Sequence, residues 1–228
     1  MKINIFKFIV SFFCFFSFLN AHINNEGELK QYVCTVLPTL EGWCSEEKAE
    51  NFINLVLKVK PKVCVEIGVF GGASLFPVAS ALKFLDSGLV IAIDPWDKLE
   101  CIKNFDPIEE AAHLNWWGKV NLDRVYNNYL NSLKQYGLEN YCLTIRKSSA
   151  KAADDIGTID ILYIDGDHSE DGFTSDTLLY LPKVCSGGYV WLNDSLSVQA
   201  QPSIDLLLDS CDVVRLIDGG NCILFKKR

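Results

Sequence analysis

Hydrophobic and polar positions follow two periods along most of the chain. Short runs rich in β-branched residues predict strands, and apolar positions that recur every three or four residues predict helices. The predicted strands are 63–69, 89–93, 141–145, 159–164, 189–192, 211–217 and 221–226. The predicted helices are 46–60, 72–86, 122–136, 149–155, 174–184 and 203–209. This alternation predicts an α/β fold: a doubly wound, Rossmann-like sheet of about seven strands, mostly parallel, with an antiparallel C-terminal hairpin and helices on both faces.

The first 21 residues have a different pattern. Lys2 and Lys7 give a positive start, Phe8 to Leu19 is an apolar run, and Ala21 is a small residue suited to cleavage. This is the layout of a secretory signal, and the run is short for a transmembrane helix. We expect a signal peptide or membrane anchor over 1–21, a polar arm over 22–44 and one domain over 45–228. The protein would be exported or attached to a membrane through residues 1–21, with a cytoplasmic location as the alternative.

Composition narrows the classes of partner. The chain has 228 residues, of which 49% are hydrophobic and 22% charged, as in globular proteins. Its net charge of −8 has the wrong sign for broad nucleic-acid binding. Nine cysteines lack zinc-site spacing, and behind a signal peptide they permit disulfides, with Cys34–Cys44 the most plausible local loop.

The ends of the first two predicted strands carry glycines and acids. The first strand runs into a turn that contains Glu66, Gly68 and Gly72, and the second ends in Asp94, closely followed by Trp96. Glycines let the backbone approach a ligand, and Glu66 suits a ligand that is locally cationic. Asp94 can accept from both hydroxyls of a ribose, and Trp96 can cover a flat ring. The alternative is a glycine-rich turn with two incidental acids.

The pattern E-x-G-x-x-x-G with an acid closing the second strand resembles class I S-adenosylmethionine-dependent methyltransferases. The resemblance implies that Glu66, Gly68 and Gly72 shape the pocket for the methionine part of the cofactor. It also implies that Asp94 holds the ribose and that Ser149 contacts the adenine. Ser149 could instead be a helix N-cap.

The fourth and fifth predicted strands end in oxygen-bearing side chains. Asp165, Asp167 and His168 follow the fourth strand, and Asn193 and Asp194 follow the fifth. These strand ends are neighbours in such a sheet, so the side chains could converge on one cation. Carboxylate and amide oxygens suit Mg²⁺ or Ca²⁺. The alternative is that these acids belong to turns and helix caps.

Together the two segments resemble cation-dependent O-methyltransferases, including a bacterial group with macrocin-type members. The resemblance implies that Asp165, Asn193 and Asp194 bind a divalent cation, most simply Mg²⁺. The order Asn193-Asp194 is reversed from the D-N pair of that group. His168 stands where plant and animal relatives carry a lysine base, so His168 and Asp165 are the expected catalytic residues.

About 28 residues with little periodicity separate the second strand from Leu122, and we expect a substrate lid there. Trp116 and Trp117 in this segment could stack on a sugar or aromatic acceptor, or belong to the core. The expected function is metal-assisted transfer of a methyl group from S-adenosylmethionine to a hydroxyl of a small molecule or glycan. The alternatives are an aminopropyl-type transferase and a non-catalytic secreted binding protein on the same scaffold.

Overall fold

The protein, described here from a computed structural model, is an α/β domain over residues 23–103 and 111–228. The strands within these ranges are β1 (Val63–Ile67), β2 (Leu89–Ile93), β3 (Cys142–Ile145), β4 (Ile159–Ile164), β5 (Val184–Asn193), β6 (Cys211–Ile217) and β7 (Cys222–Lys227). They form one sheet in the order β3-β2-β1-β4-β5-β7-β6. Strands β1 to β5 are parallel, while β7 pairs antiparallel with β5 and β6. The predicted fold class is therefore confirmed.

Helices connect the strands and cover the sheet on both faces. Those in the described residues are α1 (Glu26–Val36), α2 (Glu46–Val59), α3 (Leu75–Leu85), α4 (Lys98–Ile102), α5 (Ala111–Lys119), α6 (Leu122–Tyr136), α7 (Ser149–Ala152), α8 (Glu170–Tyr180) and α9 (Gln201–Ser210). The strand order changes direction between β1 and β4, so the connections after these strands leave toward opposite sides. In doubly wound sheets this switch point is where ligands bind, at the carboxyl ends of the strands.

Neighbouring strand residues enter two separate cores. In β1, Cys64 belongs to the apolar cluster packed with α1, α2, α3 and α6, while Val65 belongs to the cluster packed with α7, α8 and α9. The same division separates Tyr163 from Ile164 in β4. Successive strand side chains point to opposite faces, and burial of both faces explains why these strands are nearly continuous apolar runs.

Local sequence signals explain the helix ends. Ser45 caps α2 by accepting a hydrogen bond from the backbone N–H of Lys48. Gly137 ends α6 in the left-handed conformation, with φ of +62°. Pro77 is the third residue of α3, where its missing N–H costs little because first-turn N–H groups have no partner within the helix.

Several predicted boundaries are wrong. The first strand ends at Ile67 rather than residue 69, because the following glycine turn leaves the sheet. Helix α8 begins at Glu170, four residues before the predicted start, because Ser169 caps it by accepting from the N–H of Gly172. Strand β5 starts at Val184, five residues early, and carries Gly187 and Gly188 within it.

The interpretation of residues 22–44 as a polar arm also needs correction. Residues 26–36 form α1, which buries Leu29, Val33 and Val36 against the domain. Cys34 and Cys44 are both free thiols, so the local disulfide is absent.

The predicted signal or anchor at 1–21 lies outside the described residues and stays a prediction. Within residues 23–103 and 111–228, no helix is both long and apolar enough to cross a bilayer.

We expect Leu29→Ala to lower the free energy of unfolding by about 2–4 kcal/mol, because it removes a fully buried side chain from the contact of α1 with the domain. Urea denaturation measures the change, and Gln31→Ala, an exposed position on the same helix, is the control. Equal stabilities of the two variants would show that α1 does not belong to the cooperative domain.

Candidate functional site

A cavity of about 370 Å³ opens at the carboxyl ends of β1, β2 and β4, at the switch point of the sheet. Gly68, Asp94, Ser149, Asp165 and His168 all line it. The volume lies within the usual range for small-molecule sites. The structure therefore brings five of the predicted site residues to one cavity.

Gly68 brings the turn after β1 against the end of β4. Its φ is +83°, and a Cβ atom at this position would lie 2.0 Å from the backbone oxygen of Asp165. Its N–H donates to the backbone oxygen of Ile93 in β2. Only glycine satisfies both the conformation and the close approach, so a bare backbone forms this wall of the cavity.

Asp94 holds that turn in place from the end of β2. One carboxylate oxygen accepts from the N–H groups of Val69 (3.0 Å) and Phe70 (2.9 Å), and the other accepts from the N–H of Trp96 (2.7 Å). Burial raises the pKa of Asp94, although the three N–H groups act in the opposite direction. The carboxylate thus fixes the turn while it faces the cavity.

Glu66 lies beneath the cavity rather than in its lining. It is 2% exposed, and its carboxyl group accepts a 2.6 Å hydrogen bond from the Ser74 hydroxyl, which does line the cavity. Burial raises the pKa of Glu66 to about 8, although the Ser74 hydrogen bond lowers it. A cationic ligand group near Ser74 would favour ionisation of this acid.

Two other predicted cofactor residues also lie away from the lining. Gly72, with φ of +86°, packs so closely on Tyr129 that a Cβ atom would lie 2.9 Å from its ring. Trp96 is 2% exposed, stacks on Tyr129 with ring centroids 5.3 Å apart, and donates its indole N–H to the backbone oxygen of Phe70. Both residues support the turn from behind, and Trp96 is not positioned to cover a ring in the cavity.

Ser149 also lines the cavity, at the first position of α7. The cap position of that helix is Ser148, so the alternative of Ser149 as the N-cap is wrong. A buried acid, Asp176 of α8, adjoins Ser149 and also lines the cavity. Burial raises the pKa of Asp176 to about 7, although a hydrogen bond from Ser149 lowers it.

The ends of β4 and β5 meet in an acidic cluster. Asp165 accepts from the Tyr163 hydroxyl and from the amide nitrogen of Asn193, both at 2.8 Å. Asp194, with φ of +50°, accepts from the amide nitrogen of Asn221 at 2.9 Å. Both carboxylates are therefore held by neutral donors before any ligand arrives.

His168 lies between these two carboxylates. Its Nε2 atom is 3.4 Å from Asp165 Oδ1 and 3.3 Å from Asp194 Oδ2, and its ring stacks on Phe173. Burial lowers the pKa of His168, but the contact with Asp165 and the charge of Asp194 outweigh it, so the pKa is raised above the usual 6.5. One ligand atom each from Asp165, His168 and Asp194 lie within 4.8 Å of one another, so the three are close enough to hold a metal ion.

Asn193 does not join this group through its oxygen. Its Oδ1 atom accepts a 2.7 Å hydrogen bond from the ammonium group of Lys48, which is 4% exposed. Its amide nitrogen faces Asp165 instead. The predicted ligand set of Asp165, Asn193 and Asp194 is therefore only partly assembled.

Aromatic side chains surround one side of the cavity. We call Trp43, Phe70, Trp116 and Trp117 the aromatic cluster. Trp43 stacks on Phe70 at 5.3 Å between centroids, and Trp116 meets Trp117 edge-on at 4.7 Å. Trp43 and Trp117 line the cavity, while Trp116 is 42% exposed. Trp117 also packs against the core. It therefore both borders the cavity and belongs to the packing of the domain.

Three residues of the site had no place in the sequence prediction: Ser74, Lys48 and Asp176. Lys48 carried a signal, because it lies four residues before Phe52 on the apolar stripe of α2. Asp176 stands among buried residues of α8, where a charged side chain is unusual. Ser74 follows a glycine turn and had no distinguishing signal.

A sheet of this order, with an acid after β2 and a glycine turn after β1, has the fold of class I S-adenosylmethionine-dependent methyltransferases. Residues 65–195 match a family model described as "Methyltransferase domain". That match covers more than half of the chain, so the chain belongs to this methyltransferase family.

Solved structures give the same fold. The chain is similar to the O-methyltransferase NovP, with a TM-score of 0.64, 18% identity and 80% of each chain covered. It is also similar to the O-methyltransferase TomG from Streptomyces achromogenes, solved with S-adenosylmethionine: the TM-score is 0.60 at 12% identity, with 94% of this chain and 95% of that chain covered. For cofactor-bound Rv0187 from MTB the TM-score is 0.62 at 13% identity, with 93% and 95% covered. No curated protein sequence matches significantly. The predicted family resemblance and the methyltransferase class are confirmed.

Glu66→Gln should stabilise the protein at neutral and alkaline pH. An unfolded glutamate loses its proton near pH 4.3, whereas Glu66 in the folded protein holds it to about pH 8, so the wild-type free energy of unfolding falls between these values. The glutamine variant escapes this loss, and at about 1.4 kcal/mol per unit of pKa shift we expect it to be more stable by several kcal/mol at pH 8 and equally stable at pH 4.

Chemical denaturation at the two pH values measures this difference, with the exposed Glu139→Gln as the control. A variant that is less stable than the wild type at pH 8 but equally stable at pH 4 would contradict the raised pKa of Glu66.

His168 should titrate above the ordinary histidine value of 6.5, because two carboxylates face its Nε2 atom. Asp194→Asn removes one of these charges and should lower the pKa of His168. Nuclear magnetic resonance of the imidazole over pH 5–9 measures both values, and Asp209→Asn, on an exposed part of α9, should leave the pKa unchanged. An unshifted pKa in Asp194→Asn would exclude the charge of Asp194 as a cause.

Proposed function

We propose that this protein transfers the methyl group of S-adenosylmethionine to a hydroxyl oxygen of a small molecule. The observation that carries the proposal is the shared cavity, which Gly68, Asp94 and His168 all line. Gly68 allows this arrangement because its backbone lies directly against the end of β4, where a side chain would collide with the backbone of Asp165. When bound, the cofactor would supply a methyl group on a positively charged sulfur; the acceptor oxygen would take this methyl group, and the sulfur would keep the electron pair of the broken bond and become neutral.

The cavity residues at and near the ends of β1, β2 and β3 would hold the cofactor. Asp94 lines the cavity, and its three backbone donors leave about one of the four acceptor positions of the carboxylate free, on Oδ1, which suits a ribose hydroxyl. Ser74 and the buried Glu66 behind it suit the cationic methionine end. Ser149 and Asp176 also line the cavity, and their hydrogen-bond acceptors suit the exocyclic amine of an adenine.

His168 would take the proton from the acceptor hydroxyl. Its Nε2 atom faces Asp165 and Asp194, which leaves Nδ1 as the nitrogen that accepts the proton. The two carboxylates then stabilise the imidazolium that forms. Asp165 acts in this mechanism by orienting His168.

The divalent cation implied by the resemblance is left outside this mechanism. Asn193 offers its oxygen to Lys48 and its amide nitrogen to Asp165, so the predicted set of three oxygen ligands does not fit Mg²⁺ as it stands. Asp165, His168 and Asp194 form a mixed nitrogen and oxygen set, which Mg²⁺ does not favour.

The acceptor would meet the aromatic cluster. Trp43 and Trp117 border the cavity, and Trp43 is 66% exposed, so a flat ring entering the cavity can stack there. This favours an acceptor with a flat or apolar face, such as an aromatic ring or the apolar face of a sugar. The glycan acceptor is a narrower form of the same proposal.

We expect the wild-type protein to bind S-adenosylmethionine, Asp94→Asn to weaken that binding at least about tenfold, and His168→Gln to leave it within about twofold. With an acceptor found by screening hydroxyl compounds against methyl-labelled cofactor, His168→Gln should lose methyl transfer by about 10²–10⁴-fold. Calorimetry measures binding, and the mass of the labelled product separates methyl from aminopropyl transfer.

Asp209→Asn, which changes the same functional group far from the cavity, is the control for Asp94→Asn. A wild-type protein that binds no S-adenosylmethionine would support the non-catalytic alternative and end the proposal.

A further inference from the structure

A buried lysine stands directly behind the acidic cluster. Lys48 is the third residue of α2 and is 4% exposed, and it is the one lysine among the buried charged residues of the described ranges. Its ammonium group donates to Asn193 Oδ1 at 2.7 Å and lies 3.8 Å from Asp218 Oδ2. Burying an ammonium group is costly unless it is paired, so these two partners keep the charge in this position.

The lysine determines which way the Asn193 amide faces. An ammonium group can only donate, so the amide must present its oxygen to Lys48. The amide nitrogen then points at Asp165 and donates to Oδ1 at 2.8 Å. The flipped amide would place its nitrogen against the ammonium and its oxygen against the carboxylate, and both contacts would be repulsive.

We propose that Lys48 is a positioning residue that turns the Asn193 oxygen away from the candidate cation position, so that this site works without a divalent cation. A cation approaching Asp165 and Asp194 meets the amide hydrogens of Asn193 instead of its oxygen. The chain itself supplies a positive charge near these carboxylates, because the ammonium group of Lys48 lies behind Asn193. This inference rests on the proposed function, because it concerns whether the same site needs a divalent cation.

The structure leaves Lys48 little room to withdraw. Its helix is anchored next to it, because Ser45 caps α2 and donates its hydroxyl to Asp218, the second partner of the ammonium group. At 4% exposure the side chain has no path to solvent in this conformation. Lys48 and Asn193 therefore form a fixed pair.

The test uses Mn²⁺ alone as the probe, with binding followed by electron paramagnetic resonance. We expect the wild-type protein to bind no Mn²⁺ at millimolar concentration. Stoichiometric binding that Asp165→Asn abolishes would overturn the proposal, because it would show that a cation enters beside Lys48.

Substitutions at the pair should create the site. Lys48→Met combined with Asn193→Asp removes the ammonium group and supplies a third carboxylate, and we expect it to bind Mn²⁺ at least about tenfold more tightly than the wild type. Asn193→Asp alone should gain no site, because the new carboxylate pairs with Lys48. If the single variant binds Mn²⁺ as tightly as the double variant, or if the double variant binds none while it retains S-adenosylmethionine binding, the proposal is wrong.

Lys58→Met is the matched control, since Lys58 is an exposed lysine on the same helix and its loss should leave Mn²⁺ binding as in the wild type. Cofactor binding by each variant is measured by calorimetry, which also reports whether the variant folds. If the double variant does not fold, the wild type and Asn193→Asp still decide the question. A wild-type protein that does not bind S-adenosylmethionine would overturn the proposed function. A wild-type protein that binds both S-adenosylmethionine and Mn²⁺ would overturn only this inference.

Discussion

The rest of the site depends on the hydrogen bonds that Asp94 accepts from the turn after β1. One carboxylate receives three backbone N–H groups from two different connections, the turn that holds Val69 and Phe70 and the segment that begins with Trp96. This bond network holds the Gly68 backbone in its left-handed conformation against β4. Because β1 lies between β2 and β4, fixing its turn also fixes the distance between Asp94 and the acidic cluster.

The site concentrates acidic groups where little water can solvate their charged form. Glu66 and Asp94 are buried at the ends of β1 and β2, and burial raises the pKa of both. Such charge is unfavourable for stability and is typical of functional sites, where a ligand supplies the missing counter-charge. Near Glu66 and Asp94 that ligand would be a cation, in agreement with a sulfonium cofactor. The acidic cluster of Asp165 and Asp194, in contrast, already faces His168. The two halves of the cavity therefore differ in what they need from a ligand.

The sheet was predictable because its strands are apolar runs of limited length, separated by helical periods and turn residues. The limits of β2, β4 and β6 were predicted to the residue. Helix α1 was missed because its polar residues dominate its composition and only three positions, Leu29, Val33 and Val36, are buried. Composition describes the exposed side of a short helix, whereas the spacing of its few apolar residues shows that it packs.

The strand-end residues were predictable as a set, but their orientation was not. The motif places Gly72 in the turn after β1 and Trp96 just after β2, yet neither lines the cavity, because both pack against Tyr129. The direction of a side chain depends on what packs behind it, and for these two residues the packing comes from α6, far along the chain.

The predicted cation site also depends on packing that the strand-end residues alone do not show. Asn193 and Asp194 lie inside the segment that matches the methyltransferase family, 65–195, whereas Lys48 lies before it. A side chain outside the matched segment thus determines whether an oxygen inside it is available as a ligand. Two chains with the same strand-end residues could differ in metal requirement if they differ at this position of the preceding helix. The metal chemistry of such a domain is therefore a property of the helix packed against the sheet as well as of the strand ends.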